Sequence, residues 1–129
     1  MNQDLIAKAK DNTIRVSPLK LANITRSIVN KKANNAVNQL KFSNKRIANN
    51  VLKVLNAAIA NAENNKQLDI DNLYIKEAFV GKSLSMKRFR PRAKGRASSI
   101  LKPFSKLTII VEERVSIKKD ISKDKDKDK

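Results

Sequence analysis

Nine Lys or Arg and no Asp or Glu occupy the 26 residues from Gly81 to Lys106, GKSLSMKRFRPRAKGRASSILKPFSK. Cations this dense, with no counter-ions among them, repel one another, and a polyanion relieves that repulsion; the chemistry they suit is the binding of phosphates. Arginine offers a planar fork that holds a phosphate through two hydrogen bonds and can stack on a base, which an ammonium group does not do. Arg88, Arg90, Arg92 and Arg96 provide four such forks, and Lys82, Lys87, Lys94, Lys102 and Lys106 add point charges. A short basic run is usually a solvated loop. This one is long and interleaved with Met86, Phe89 and Pro91, and nucleic-acid contact is expected. Phe89 reads either as a stacking platform or, the commoner fate of a lone Phe in a hairpin, as a side chain packed on its own strand. Gly95, one of two glycines in the chain, serves a turn or a close backbone approach to RNA. Pro91 stiffens the tip or wedges between bases.

Two apolar segments flank this run and must position it. Leu73–Val80 and Leu107–Glu113 are rich in β-branched and aromatic residues and have the length of strands, with Leu107, Ile109 and Val111 on one face of the second. Paired as an antiparallel hairpin, they send the intervening residues out of the domain and back. At about 3.3 Å per residue, an arm turning near Arg92 reaches about 35 Å beyond the pairing. It has little apolar surface to bury, so it is expected to be mobile until a partner orders it.

The segment 5–16 partly alternates and reads as a further strand, interrupted near Asp11 and Asn12. Ser17 and Pro18 follow as an N-cap and first helical residue, and Leu21, Ile24 and Ile28 then form one apolar stripe, with Asn30 and two lysines ending the helix. Ala33–Leu40 is a short helix presenting Ala36, Val37 and Leu40. After Ser43, read as another N-cap, the positions Ile47, Val51, Val54, Leu55, Ala58, Ile59 and Ala62 predict a helix of about 20 residues, its alanines suited to close packing. A turn is expected through Asn64–Asn65 and Asp69–Asn72, where Asp69 and Asp71 read as local Asx turns rather than cation ligands. The expected fold class is α+β, a three-stranded antiparallel sheet packed on three helices with a long protruding β-hairpin arm. Residues 1–117 form one RNA-binding domain on this reading, including the arm at 81–106. Residues 118–129, KKDISKDKDKDK, read as a disordered charged tail.

Composition narrows the function. The chain has 129 residues, a net charge of +17 and a pI near 10.4. Residues 81–106 carry +9 of that charge, residues 1–80 carry +7 and residues 107–129 carry +1. No apolar run approaches the roughly 20 residues of a spanning helix, so no membrane partner is expected. The N-terminal residues MNQDLIAKAK lack a signal-peptide core, and an intracellular protein is expected. With no Cys and no His, disulfides, thiolate metal sites and the commonest general base are excluded. No catalytic residues, metal or cofactor are expected, and the chain does not read as an enzyme.

The residues carry a resemblance. Asn56–Asn65, NAAIANAENN, the short Asp/Asn loop and strand ending Phe79–Val80, and Met86–Ala97, MKRFRPRAKGRA, resemble the bacterial large-subunit ribosomal proteins of the L-twenty-two family over roughly residues 5 to 115. The resemblance implies a structural constituent of the large ribosomal subunit that binds 23S ribosomal RNA during assembly. It also implies an arm that lines the nascent-peptide exit tunnel close to where macrolides bind. Its implied partners are that RNA, neighbouring ribosomal proteins and the nascent polypeptide, with the protein a monomer within a ribosome of a bacterial cytoplasm or an organelle. Carried over by position, the tunnel-lining tip is Met86, Lys87, Arg88, Arg92, Lys94, Gly95 and Arg96. RNA-binding residues are expected at Arg15, Lys20, Arg26, Lys82, Lys87, Arg88, Arg90, Arg92, Lys94, Arg96, Lys102 and Lys106. The chain departs from the family where Leu19 and Ala22 replace usual arginines, where Gly81–Leu84 replaces a usually acidic stretch, and where Pro103 and Lys106 replace a common arginine and histidine. Pro103 cannot donate to a ladder, so pairing is expected to break there. A rival reading is an architectural DNA-binding protein whose arm enters the minor groove with Pro91 as a wedge, a class that usually dimerises.

Overall fold

The computed structural model describes residues 3–114. The tail assigned to 118–129 and the end of the 1–117 domain lie outside the described residues. Three strands and three helices follow in the order β1 (Ile6–Ile14), α1 (Pro18–Arg26), α2 (Ala33–Lys41), α3 (Ala48–Lys66), β2 (Leu73–Pro91) and β3 (Ala97–Glu113). The sheet order is β1-β3-β2, antiparallel throughout. The expected α+β architecture is therefore the observed one.

Leu107, Ile109 and Val111 are fully buried, and with Ala7 of β1 and Leu73 and Ile75 of β2 they give the sheet one apolar face. Against it lie Leu21, Ile24 and Ile28 from the first helical segment, Ala33, Ala36 and Leu40 from α2, and Val51, Val54, Leu55, Ala58 and Ala62 from α3. Each large aliphatic side chain removed from water here contributes about 1.5–3 kcal/mol. The alanines of α3 let its backbone come close to its neighbours, as their spacing predicts.

Caps and element boundaries differ from expectation at four points. Ser17 holds the N-cap position with Pro18 as the first helical residue, but its hydroxyl makes no capping hydrogen bond. Ser43 does not cap α3: its Oγ accepts from the Lys45 N–H at 3.3 Å, closing a local turn, and the helix begins at Ala48. Asn64 and Asn65 are still helical; α3 ends only at Gln67, whose φ of 53° is left-handed. Helix α1 stops at Arg26, and a left-handed Asn30 (φ 63°) then turns the chain so that Asn30 N–H bonds the Ile75 carbonyl at 2.8 Å and Ile75 N–H the Lys31 carbonyl at 3.0 Å. Asp69 forms the expected Asx turn, its Oδ1 accepting from the Asp71 N–H at 3.1 Å.

Candidate nucleic-acid interface

Strands β2 and β3 continue out of the sheet as a two-stranded ribbon, paired residue by residue from Ser85–Pro103 to Pro91–Ala97. Between Lys82–Ser105 and Ser85–Pro103 the register shifts, so that Ser83 and Leu84 lie opposite Phe104 alone. This β-bulge falls where Pro103 lacks an N–H, the interruption expected from the sequence. Two hydroxyls tie the arm's base to the domain. The buried Ser105 Oγ donates to the Val16 carbonyl at 2.6 Å, and Ser83 Oγ donates to the Asn12 carbonyl at 2.8 Å. At the far end Arg92 N–H bonds the Arg96 carbonyl at 2.6 Å, closing a loop in which Lys94 (φ 62°) and Gly95 (φ 68°) are both left-handed. Gly95 therefore does serve the turn, since a side chain at such a φ is strained.

The pairing decides what the arm presents. Directly opposed residues share a face, and residues two apart along a strand share it too. Met86, Arg88, Arg90 and Arg92 therefore stand on one face with Lys102, Ile100 and Ser98. Arg92 Nε donates to Ser98 Oγ at 3.2 Å across that face, and Arg88 lies back toward Met86, its Nη2 3.6 Å from the Met86 Sδ. Ser85, Lys87, Phe89 and Pro91 stand on the other face with Leu101, Ser99 and Ala97. Phe89 does not pack on its own strand: it is 76% exposed, because its cross-strand partner, Ser99, is too small to cover it.

At the base of the arm a groove of about 310 Å³ is lined by Arg15, Val16, Ser17, Lys20, Arg46, Ile47, Leu101, Lys102 and Pro103. Arg15 and Arg46 also border a neighbouring surface with Asn49, Asn50 and Lys53. No carboxylate lines either surface. Arg15, Lys20 and Lys102 are thus brought together as candidate RNA-binding residues. Arg26, in the last turn of α1, does not line the groove. Lys82 and Lys106 are exposed beside the bulge, and Lys87, Arg88, Arg90, Arg92, Lys94 and Arg96 are exposed on the arm or at its tip. Arg46 lines the groove and, with Lys53, the neighbouring surface; the sequence offers Arg46 only as one of several ordinary basic residues of the domain, because its partners Arg15 and Lys102 come from distant segments.

Among the described residues the ion pairs lie elsewhere. Glu112 holds Arg114 at 2.6 Å and Lys76 at 3.8 Å, with Arg114 over the Tyr74 ring at 5.1 Å, in the part of the sheet away from the arm. None of the arm's cations has a carboxylate partner there. No group of three or more acidic side chains among the described residues is placed to hold a metal ion.

The fold is thus a small α+β domain carrying a basic ribbon whose cations have no carboxylate partner among the described residues. The sequence profile of the family described as "Ribosomal protein L22p/L17e" matches residues 9–112. The large ribosomal subunit protein uL22 of Phenylobacterium zucineum is 58% identical over 108 residues, covering 84% of this chain and 86% of that protein. The uL22 proteins of Pelagibacter ubique and Rhodospirillum rubrum are 54% and 53% identical, covering 82% and 86% of this chain and 80% and 88% of their own lengths. The chain belongs to the L22p/L17e family of ribosomal proteins. It is a structural constituent of the large ribosomal subunit and not an enzyme, and it sits in that subunit with ribosomal RNA and other ribosomal proteins.

Proposed function

We propose that the arm and the groove at its base bind 23S ribosomal RNA during assembly, and that the tip, Met86, Lys87, Arg88, Arg92, Lys94, Gly95 and Arg96, lines the nascent-peptide exit tunnel. The observation that carries this reading is the continuous surface from Arg15, Lys20, Arg46 and Lys102 onto the arm, without a carboxylate partner among the described residues. Phosphates neutralise it and supply most of the affinity, while the ladder and the pinned base supply the selection for one folded RNA. Arg26, Lys82 and Lys106 add contacts at the domain and the arm's base. The protein acts as a monomer on this reading, and the tip meets the growing polypeptide.

The test is a competition titration in which labelled large-subunit ribosomal RNA bound to the protein is challenged with excess duplex DNA at moderate and then high salt. Retention of the RNA at both salts is expected, because shape as well as charge selects it. Ready displacement by DNA, together with a stable dimer in sedimentation, would instead favour an architectural DNA-binding role for Pro91 and its flanking arginines.

A further inference from the structure

The arm's two faces differ in chemistry. On one, Arg88 and Arg90 of β2 and Arg92 just beyond it recur at every second residue, beside Ser98, Ile100 and Lys102 of β3, a row suited to a phosphodiester chain. On the other, Phe89 and Leu101 are diagonal neighbours, 76% and 60% exposed, among Ser99, Ala97 and Pro91. An aromatic ring 76% exposed to water buries little surface and so adds little to folding. The small residues around it leave its ring open to a flat partner. Lys87 on the same face, the cationic tip and the arginines one ribbon thickness away all select a polyanion as that partner. A nucleic acid is the polyanion that also carries flat apolar surfaces.

We propose that the arm divides its work by face: Arg88, Arg90 and Arg92 hold backbone phosphates, while Phe89, supported by Leu101, is a platform on which an unpaired ribosomal RNA base stacks. This rests on the RNA-binding reading above and deepens it, naming unstacked bases as the ligand of the second face. Stacking on a ring tolerates any base, so it adds affinity and orientation rather than sequence readout.

The chain contains no Trp, so Phe89→Trp creates a single indole reporter on this face. A second variant, Phe42→Trp, places the reporter at an 85% exposed site at the end of α2, off the arm. With large-subunit ribosomal RNA, the indole at position 89 is expected to be strongly quenched and shielded from acrylamide, with affinity retained, while the indole at position 42 is not. Phe89→Ala is expected to weaken binding about ten-fold with the salt dependence unchanged. Arg90→Ala is expected to lower the salt slope by about one phosphate contact. A complex that forms with the indole at 89 still unquenched and accessible would overturn the face assignment alone and turn Phe89 toward open space. Equal quenching at both reporters would also overturn it. Failure of the unmodified protein to prefer ribosomal RNA over duplex DNA would overturn the underlying RNA reading.

Discussion

Strands β2 and β3 each pass through two environments, and the halves are held together differently. In the domain, Leu73, Ile75, Leu107, Ile109 and Val111 are buried beneath three helices, so pairing there is backed by apolar burial. On the arm the same two strands remain in register from Ser85–Pro103 to Pro91–Ala97, with no side chain buried and no cation paired to a carboxylate among the described residues. Backbone hydrogen bonds and the two serine ties at the base hold that register. The domain half is a stability element and the arm half, on the function proposed above, a binding element, although one ladder runs through both.

Mutations that respect this boundary can break or sharpen the contrast. The largest effect is expected from Ala58→Asp, which places a charge where α3 is fully buried and should cost about 3 kcal/mol or more. Thermal melts read it as a large drop in Tm or failure to fold. Ser105→Ala comes next. It removes the donor to the Val16 carbonyl, leaves that acceptor without the Ser105 hydroxyl, and should cost about 1–3 kcal/mol in denaturant titrations. Arg88→Ala or Arg92→Ala should change folding stability by no more than about 0.5 kcal/mol, since both are exposed on the arm. Each should nonetheless weaken RNA binding and flatten its salt dependence. A Tm drop matching that of Ala58→Asp would mean that the arm belongs to the cooperative core after all.

The smallest effect on global stability is expected at the tip, where local opening relieves strain without unfolding the domain. A Cβ added at Gly95 meets nothing within 4 Å, so Gly95→Ala carries only the backbone strain of φ 68°, about 1 kcal/mol. Tm should hardly move, while backbone amides near the tip should exchange faster. In the free protein, amide relaxation should find the arm more mobile than α3. An arm as rigid as the helices would undo the contrast between the two regions.

Much of this was legible in the chain because it depends on neighbours in sequence. Period-two alternation in 107–113 named the buried residues of β3, and the 3.6-residue spacing from Ile47 to Ala62 named the buried stripe of α3. The acid-free run identified the arm, and Gly95 and Pro103 marked its turn and its bulge. Ser43 misled because a serine before an apolar stripe suits a cap, yet its hydroxyl was taken by the nearer Lys45 amide. For Phe89 the sequence left open a stacking platform or packing on its own strand, the commoner fate, and only the register shows that its cross-strand partner is the small Ser99.

The sequence by itself determined which segments become strands and helices, which faces are apolar and where the charge concentrates, since each follows from local periodicity and composition. The tertiary structure alone decided the strand order β1-β3-β2 and the register that puts Leu101 on the face of Phe89 and Ile100 on the face of Arg88 and Arg90. It also decided the groove that joins Arg15 and Lys20 to Arg46 and Lys102. The physical reason is that these features depend on pairing and packing between segments far apart in the chain. A slip of one residue in register would exchange the faces of the returning strand without altering any local preference.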